Sequence, residues 1–335
     1  MNVAILGLGF MGTTHAQAWR YVPGARLAAV MSSDERKLSG DLSAISGNLG
    51  NSGERLDFSD VHKHRTVESV LADPDVDAVD ICLPTDSHAP VAIAALRAGK
   101  HVLVEKPMAL DQAGAEEVIR EAETAGRILM AGQVLRFVPA YSLLSEKLKD
   151  SGPVRFAVFR RRCAAPAWSK WLSDASRSGG GVFDLLIHDV DYCVSRWGLP
   201  QTVRASGYSE PAVGIDLIHA ELTYSGMGPV IITGGWHHPK SYPFSMEFTV
   251  TAANATFEWP FGAPDLKEFR ADGEMTAHEL PKSDAFALEL EYFAGCVRDN
   301  RQPELCPPAE SAQAVGLMNL ILKARETGDI LKCAI

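Results

Sequence analysis

Along the first third of the chain two hydrophobic patterns alternate. Short and almost unbroken apolar runs, "VAILGLG", "RLAAVM", "AVDICLP" (78–84), "HVLVE" (101–105) and "RILMAG" (127–132), predict strands buried on both faces. Between them, residues 11–21, "HAPVAIAALRAG" and "DQAGAEEVIREAETAG" carry apolar residues at helical spacing, and the last two end in glycine. Strand–helix alternation of this kind predicts a parallel sheet covered by helices. "LGNSGERLDF" (49–58) has neither pattern and reads as a loop. The rhythm changes between residues 125 and 150. A helix through "AYSLLSEKLKDSG" leads to "VRFAVFRRR". A glycine run and an amphipathic stretch, 183–196, come next. Then come "TVRASGY", "DLIHAELTY", "PVIITGGW", "FSMEFTVTA" and "ATFEW". Strand following strand predicts an α+β domain with a predominantly antiparallel mixed sheet. Helical patterns over 284–299 and 308–326 close the chain. The expected division is residues 1–125 and 126–335, two domains, as 335 residues would lead one to expect.

Composition narrows the function classes. Hydrophobic residues make up 46% and charged residues 22%, with a net charge of -10, so there is no basic footprint for nucleic acid or an anionic membrane. No apolar stretch is long enough to span a bilayer. Six cysteines at irregular spacing, none in C-x-x-C, argue against a zinc knuckle and a disulfide framework. Together with the lack of a signal-peptide pattern after Met1, they point to a reduced, cytoplasmic protein. "DPDVDAVD" (73–80) has the acidic rhythm of a calcium loop but lacks glycine at its sixth place and glutamate at its twelfth.

"GLGFMG" sets Gly7, Gly9 and Gly12 in G-x-G-x-x-G spacing, after a predicted strand and at the start of a predicted helix. In that context Gly7 serves the tight turn, Gly9 admits a pyrophosphate to the backbone, and Gly12 lets helix and strand pack. The expected fold of this domain is therefore a Rossmann domain. In "GGGVFDLLIHDVDY" (179–192), Asp184 and His188 stand four residues apart, about 40° around a helix, and share a face. Asp191 falls near that face, while Asp189 points elsewhere, toward solvent. Residues alone leave two readings: an acid–base pair, or a helix capped by Asp184 with His188 as a buried structural histidine. A metal would need a third ligand. His237 and His238 are the only tempting donors, and as neighbours on a strand they would point to opposite faces, so no metal is expected.

"AILGLGFMGTTHAQAW", "DAVDICLPTDSHAPVAIAALRAGKHVLVEKPMAL" and "SGGGVFDLLIHDVDYCVSRWG", in that order, resemble the glucose–fructose oxidoreductase and inositol dehydrogenase (Gfo/Idh/MocA) family. The resemblance implies NAD(P)-dependent hydride transfer between nicotinamide and a secondary alcohol or ketone of a sugar, cyclitol or related polyol. It makes Lys106, Asp184 and His188 the catalytic set. It places Gly7, Gly9, Phe10, Met11, Gly12, Pro84, Thr85, His88, Glu105, Lys106, Gln133 and Trp171 beside the coenzyme. Ser32 stands where NAD-specific relatives carry an aspartate. With Ser33 and Arg36 nearby, the balance favours NADP over NAD; against it stand the carboxylates of Asp34 and Glu35 and the alternative reading of Ser32 as a helix N-cap. Leu172 in "WLSD" replaces the family's arginine. The family further implies a homodimer or homotetramer joined through the second-domain sheet. Two other functions share the fold: a glycosidase using NAD for transient oxidation, and a non-catalytic dinucleotide sensor.

Overall fold

The computed structural model describes residues 1–47, 53–167 and 169–334. The chain forms two compact units, Met1–Val134 with Asp284–Ala312, and Leu135–Ser283 with Gln313–Ile335. The first unit contains β1 (Asn2–Leu6), α1 (Phe10–Ala18), β2 (Arg26–Met31), α2 (Glu35–Leu38), β3 (His62–His64), α3 (Val67–Leu71), β4 (Ala78–Ile81), α4 (His88–Arg97), β5 (His101–Glu105), α5 (Gln112–Ala125) and β6 (Leu129–Gly132). Its six strands are all parallel in the order β3-β2-β1-β4-β5-β6. This is the doubly wound dinucleotide-binding order, whose ligand crevice lies at the carboxyl ends of β1 and β4, where the strand order reverses. The strands are near-continuous apolar runs because helices cover both sheet faces. Val3 to Leu6, Val102 to Val104 and Leu129 to Ala131 are at most 1% exposed. Helix α5 shows how such elements are bounded. Asp111 accepts the Gly114 amide at its start, and Gly126 takes the left-handed conformation at its end.

The second unit continues with α6 (Pro139–Lys147), β7 (Val154–Cys163), α7 (Ala175–Ser178), α8 (Gly181–Trp197), β8 (Thr202–Glu210), β9 (Ile215–Thr223), β10 (Val230–Trp236), β11 (Ser245–Ala252), β12 (Ala255–Pro260), β13 (Asp265–Arg270) and β14 (Met275–Glu279). Helices α9 (Ala285–Arg298) and α10 (Pro308–Thr327) and strand β15 (Leu331–Lys332) complete the chain. The nine strands run β14-β13-β12-β11-β7-β10-β9-β8-β15, and only β7 and β10 pair in parallel. Strict alternation of burial along β11 shows one face on the core and one open. Helix α8 packs on β10, β9 and β7, and its residues lead the core together with Phe159, Phe248, Phe257 and Trp236.

The structure departs from the single cut at residue 125. β6 pairs with β5, Val102 opposite Leu129, so the first unit runs past that point. The chain returns to this unit over Asp284–Ala312, where Phe286 of α9 lies 6.0 Å from the His15 ring. The short elements β3, α2, α3, α7, β13, β14 and β15 escape the pattern reading because they are short, or largely exposed and polar. The expected loop at 49–58 falls partly outside the described residues. Its described end, 53–58, is free of helix and carries one bridge, Arg55 to Asp41.

Candidate active site

The glycine cluster shows what each position requires. Gly7 has φ of 99°, and a Cβ there would meet the Cys82 carbonyl oxygen at 2.7 Å. A Cβ at Gly12 would fall 1.8 Å from the Gly7 oxygen, so the helix can approach the strand only without a side chain. At Gly9 a Cβ would meet nothing within 4 Å, and Gly9 caps α1 without any side-chain hydrogen bond. The first amides of α1 thus face open space beside a bare backbone, which fits a pyrophosphate. Phe10 and Met11 begin that helix, half-buried. At the end of β2, Ser32 is buried and its Oγ accepts the Asp34 amide at 3.1 Å. Asp34, not Ser32, caps α2 by accepting the Arg36 amide, so the serine-cap reading is corrected. Ser33 and Arg36 are exposed, and the Arg36 guanidinium lies 4.0 Å from Asp34.

Beyond β4, Pro84 is half-buried and Thr85 is buried. His88 opens α4, but its ring does not cap that helix. Its Nδ1 lies 2.7 Å from the Pro107 carbonyl and its Nε2 2.8 Å from that of Leu83. Burial drives its pKa below the ordinary histidine value against the pull of those carbonyls. The ring thus lies between the turns at Leu83 and Pro107, beside the crevice assigned to the coenzyme. Gln133, just after β6, is buried and its Oε1 has no partner, an orphaned acceptor of the kind a ligand amide satisfies.

Lys106 is half-buried and follows β5 directly, at the C-terminal edge of the parallel sheet. Glu105 before it is turned inward. Its Oε2 accepts the Lys106 amide at 3.1 Å, and its Oε1 lies 3.1 Å from Nε2 of His15. His15 is fully buried on α1, and its Nδ1 donates to Asp80 at 2.9 Å, which also accepts from Trp19 Nε1 at 2.7 Å. Burial opposes charge on His15, but the Asp80 carboxylate, with Cys82, outweighs it, and the pKa lies well above the ordinary value. Sequence reasoning missed this cluster. Its signal was a histidine, a tryptophan and an aspartate each embedded in an apolar helix or strand.

In the second unit, Gly179 and Gly180 take positive φ, and a Cβ at Gly181 would strike the Trp236 ring at 2.5 Å. The three glycines let α8 start against β10, two residues before the expected start. Asp216 of β9 accepts the Val182 amide at 2.8 Å and is itself held by Arg325 at 2.7 Å, so the start of α8 is satisfied from another strand. Asp184 is therefore not the cap. From Gly181 to Val194 every residue of α8 is buried except Asp184 and His188. The other two aspartates differ from expectation. Asp189 is fully buried and binds the Arg161 guanidinium at 2.8 and 3.0 Å. Asp191 is likewise buried and takes Arg136 at 2.8 and 2.7 Å, which commits its carboxylate away from the histidine.

His237 and His238 lie past the end of β10, so the opposed-face argument does not apply. Their rings are 4.1 Å apart, and His238 stacks on Tyr242 at 3.7 Å. Trp171 is partly buried against the core of its unit, and Leu172 fills that core at 5% exposure, an apolar role in place of the family's arginine. Among the described residues, the groups of histidine, cysteine and carboxylate close enough for a metal are His15–Asp80–Cys82 and His62–His64–Asp73, neither containing His188.

A parallel Rossmann sheet with an open glycine turn, and a second unit built on a mixed sheet with a buried helix on which only Asp184 and His188 among residues 181–194 keep partial access, define a two-domain dinucleotide-binding fold. The oxidoreductase-family model with an NAD-binding Rossmann fold matches residues 1–133, and the GFO/IDH/MocA C-terminal domain model matches residues 149–258. The chain belongs to the Gfo/Idh/MocA oxidoreductase family. It is similar to the Bacillus subtilis scyllo-inositol 2-dehydrogenase (NAD(+)), 26% identical over 90% of this chain and 88% of that protein. It is also similar to the scyllo-inositol 2-dehydrogenase (NADP(+)) of the same organism, 24% identical over 88% and 77%. The first five curated relatives are matched over only 43–62% of their own lengths. The solved aldose-aldose oxidoreductase of Caulobacter crescentus shares the fold, with a TM-score of 0.84 at 24% identity over 99% of both chains.

Proposed function

We propose that the protein is an NAD(P)-dependent dehydrogenase or reductase acting on a secondary alcohol or ketone of a sugar, cyclitol or related polyol. One observation carries the reading: along the first fourteen residues of this helix every residue is buried except Asp184 and His188, which keep partial access on one face. A purely structural histidine on that helix would be packed like its neighbours. When bound, the nicotinamide coenzyme supplies the hydride acceptor or donor. His188 takes the hydroxyl proton, Lys106 binds that oxygen and stabilises its developing charge, and Asp184 orients His188 or a neighbouring hydroxyl. Gly9, the amides of α1, Ser32, Arg36, Thr85 and Gln133 hold the coenzyme, with Phe10, Met11 and Trp171 as further coenzyme residues. Ser32 in place of a carboxylate favours NADP.

The open face of the nine-stranded sheet carries Arg160, Arg162 and Glu247, linked to one another, and Phe156 at 41% exposure. A charged and partly apolar sheet face supports a homodimer or homotetramer joined there. The six free cysteines support a reducing, cytoplasmic setting. Among the described residues no helix is long and apolar enough to cross a membrane. The deciding experiment offers sugars, inositols and their keto forms with each coenzyme and follows absorbance of the reduced nicotinamide. No turnover of any, or glycoside cleavage without net coenzyme reduction, would overturn the reading.

A further inference from the structure

A second cluster of ligand-type side chains lies at the edge of the parallel sheet, on β3. This strand reads His62-Lys63-His64, so alternation puts both imidazoles on one face and the lysine on the other. Asp73, from the turn after α3, reaches between them. Nδ1 of His62 lies 2.7 Å and Nε2 of His64 3.0 Å from the same oxygen of Asp73, and the three ligand atoms fall within 4.8 Å of one another. The carboxylate is held in place from behind. Its other oxygen accepts the Asp75 amide at 3.0 Å, and the Asp73 carbonyl accepts Lys100 Nζ at 2.9 Å, which also binds the Val76 carbonyl at 2.7 Å.

We propose that His62, His64 and Asp73 form a binding site for a divalent transition-metal ion of the zinc class. Two imidazoles and one carboxylate are borderline ligands suited to such ions, and water would complete four-coordination. The ligand–ligand edge around a tetrahedral ion is about 3.3 Å, so the two histidine–Asp73 spacings need to open by only about half an ångström, and the two imidazole nitrogens already lie within 4.8 Å of each other. Access follows the burial gradient: the side chains of Asp73, His64 and His62 are 7%, 15% and 51% exposed. Arg26 and Asp75 stand near His62 with opposite charges, so no large net field opposes a cation. In the sheet order β3 is four strand spacings from β5, about 19 Å, which separates this site from Lys106. An ion here would staple an edge strand, paired among the described residues with β2 alone, to the turn after α3. The buried His15–Asp80–Cys82 group has no comparable opening, since His15 and Asp80 are 0% exposed.

The test uses the full chain freed of any affinity tag, titrated with zinc against a chromogenic chelator and with cobalt read by its visible spectrum. One ion per chain is expected, with micromolar or tighter affinity and a Tm rise of about 3–5 °C at saturation. His62→Ala and His64→Ala should each weaken binding at least about tenfold. Asp73→Asn, which keeps an acceptor for the Asp75 amide, should do the same. Stoichiometric binding that survives all three substitutions, binding abolished by Cys82→Ser, or no binding up to 100 micromolar on the order used for such sites would each overturn the proposal.

Discussion

Nε2 of His15 lies 3.1 Å from one oxygen of Glu105, and the other oxygen of that carboxylate accepts the amide of Lys106 at 3.1 Å. A buried histidine on α1 thereby supports the residue next to the proposed catalytic lysine. Its folded-state pKa is raised above the unfolded value near 6.5. The resulting stabilisation is therefore complete below about pH 6.5 and is lost as pH rises through the folded value. Asp80→Asn should cost about 1–3 kcal/mol at pH 6, and less as pH rises. Urea unfolding of both proteins between pH 6 and 9 measures it, and a pH-independent difference would refute the charged His15.

Substituting Lys106 or His188 by alanine should lower kcat by about 10²–10⁴ while coenzyme Kd changes little, because general acid–base and charge-stabilising groups act on the reacting oxygen. Steady-state kinetics with fluorescence titration of reduced coenzyme separates the two. Near-normal turnover in either variant would remove that residue from the catalytic set.

Gly9 and Gly12 should respond differently to alanine. At Gly9 the added methyl enters open space, so the fold should persist while coenzyme affinity drops at least about tenfold. At Gly12 it meets the Gly7 oxygen at 1.8 Å, so Tm itself should fall, by several degrees or more. Thermal melts without coenzyme, paired with titrations, distinguish the outcomes; a stable Gly12→Ala protein would contradict the close approach.

In the proposed reading, coenzyme choice turns on Ser32. Ser32→Asp places a carboxylate where the 2′-phosphate of NADPH would sit, and should weaken NADPH more than NADH. Arg36→Ala should shift the ratio the same way through lost attraction. Dissociation constants for both coenzymes decide it, and a wild type that prefers NADH sinks the assignment to NADP.

The pair Arg161–Asp189 should be a stability determinant. Both side chains are at most 3% exposed, so Asp189→Ala leaves a buried guanidinium without its counter-ion, at a cost of about 3–5 kcal/mol. Denaturant midpoints measure it. A loss below about 1 kcal/mol would mean that water or another group reaches Arg161.

The parallel domain was legible in the sequence because burial on both faces of a sheet writes itself as continuous apolar runs, and because a dinucleotide turn demands glycines at fixed spacing. Helix α8 was legible for a related reason: residues 184 and 188 share a face in any helix. What the chain could not reveal locally was where each charge ends. Asp184, Asp189 and Asp191 look alike in one dimension. Only packing sends Asp189 to Arg161 on β7 and Asp191 to Arg136, and keeps Asp184 and His188 partly accessible where their neighbours are buried. Likewise the His62–His64–Asp73 cluster joins a three-residue edge strand too short for any period to a turn nine residues on. Ion pairs and ligand clusters depend on the distances that the fold creates between separate elements, and local pattern carries no record of those distances.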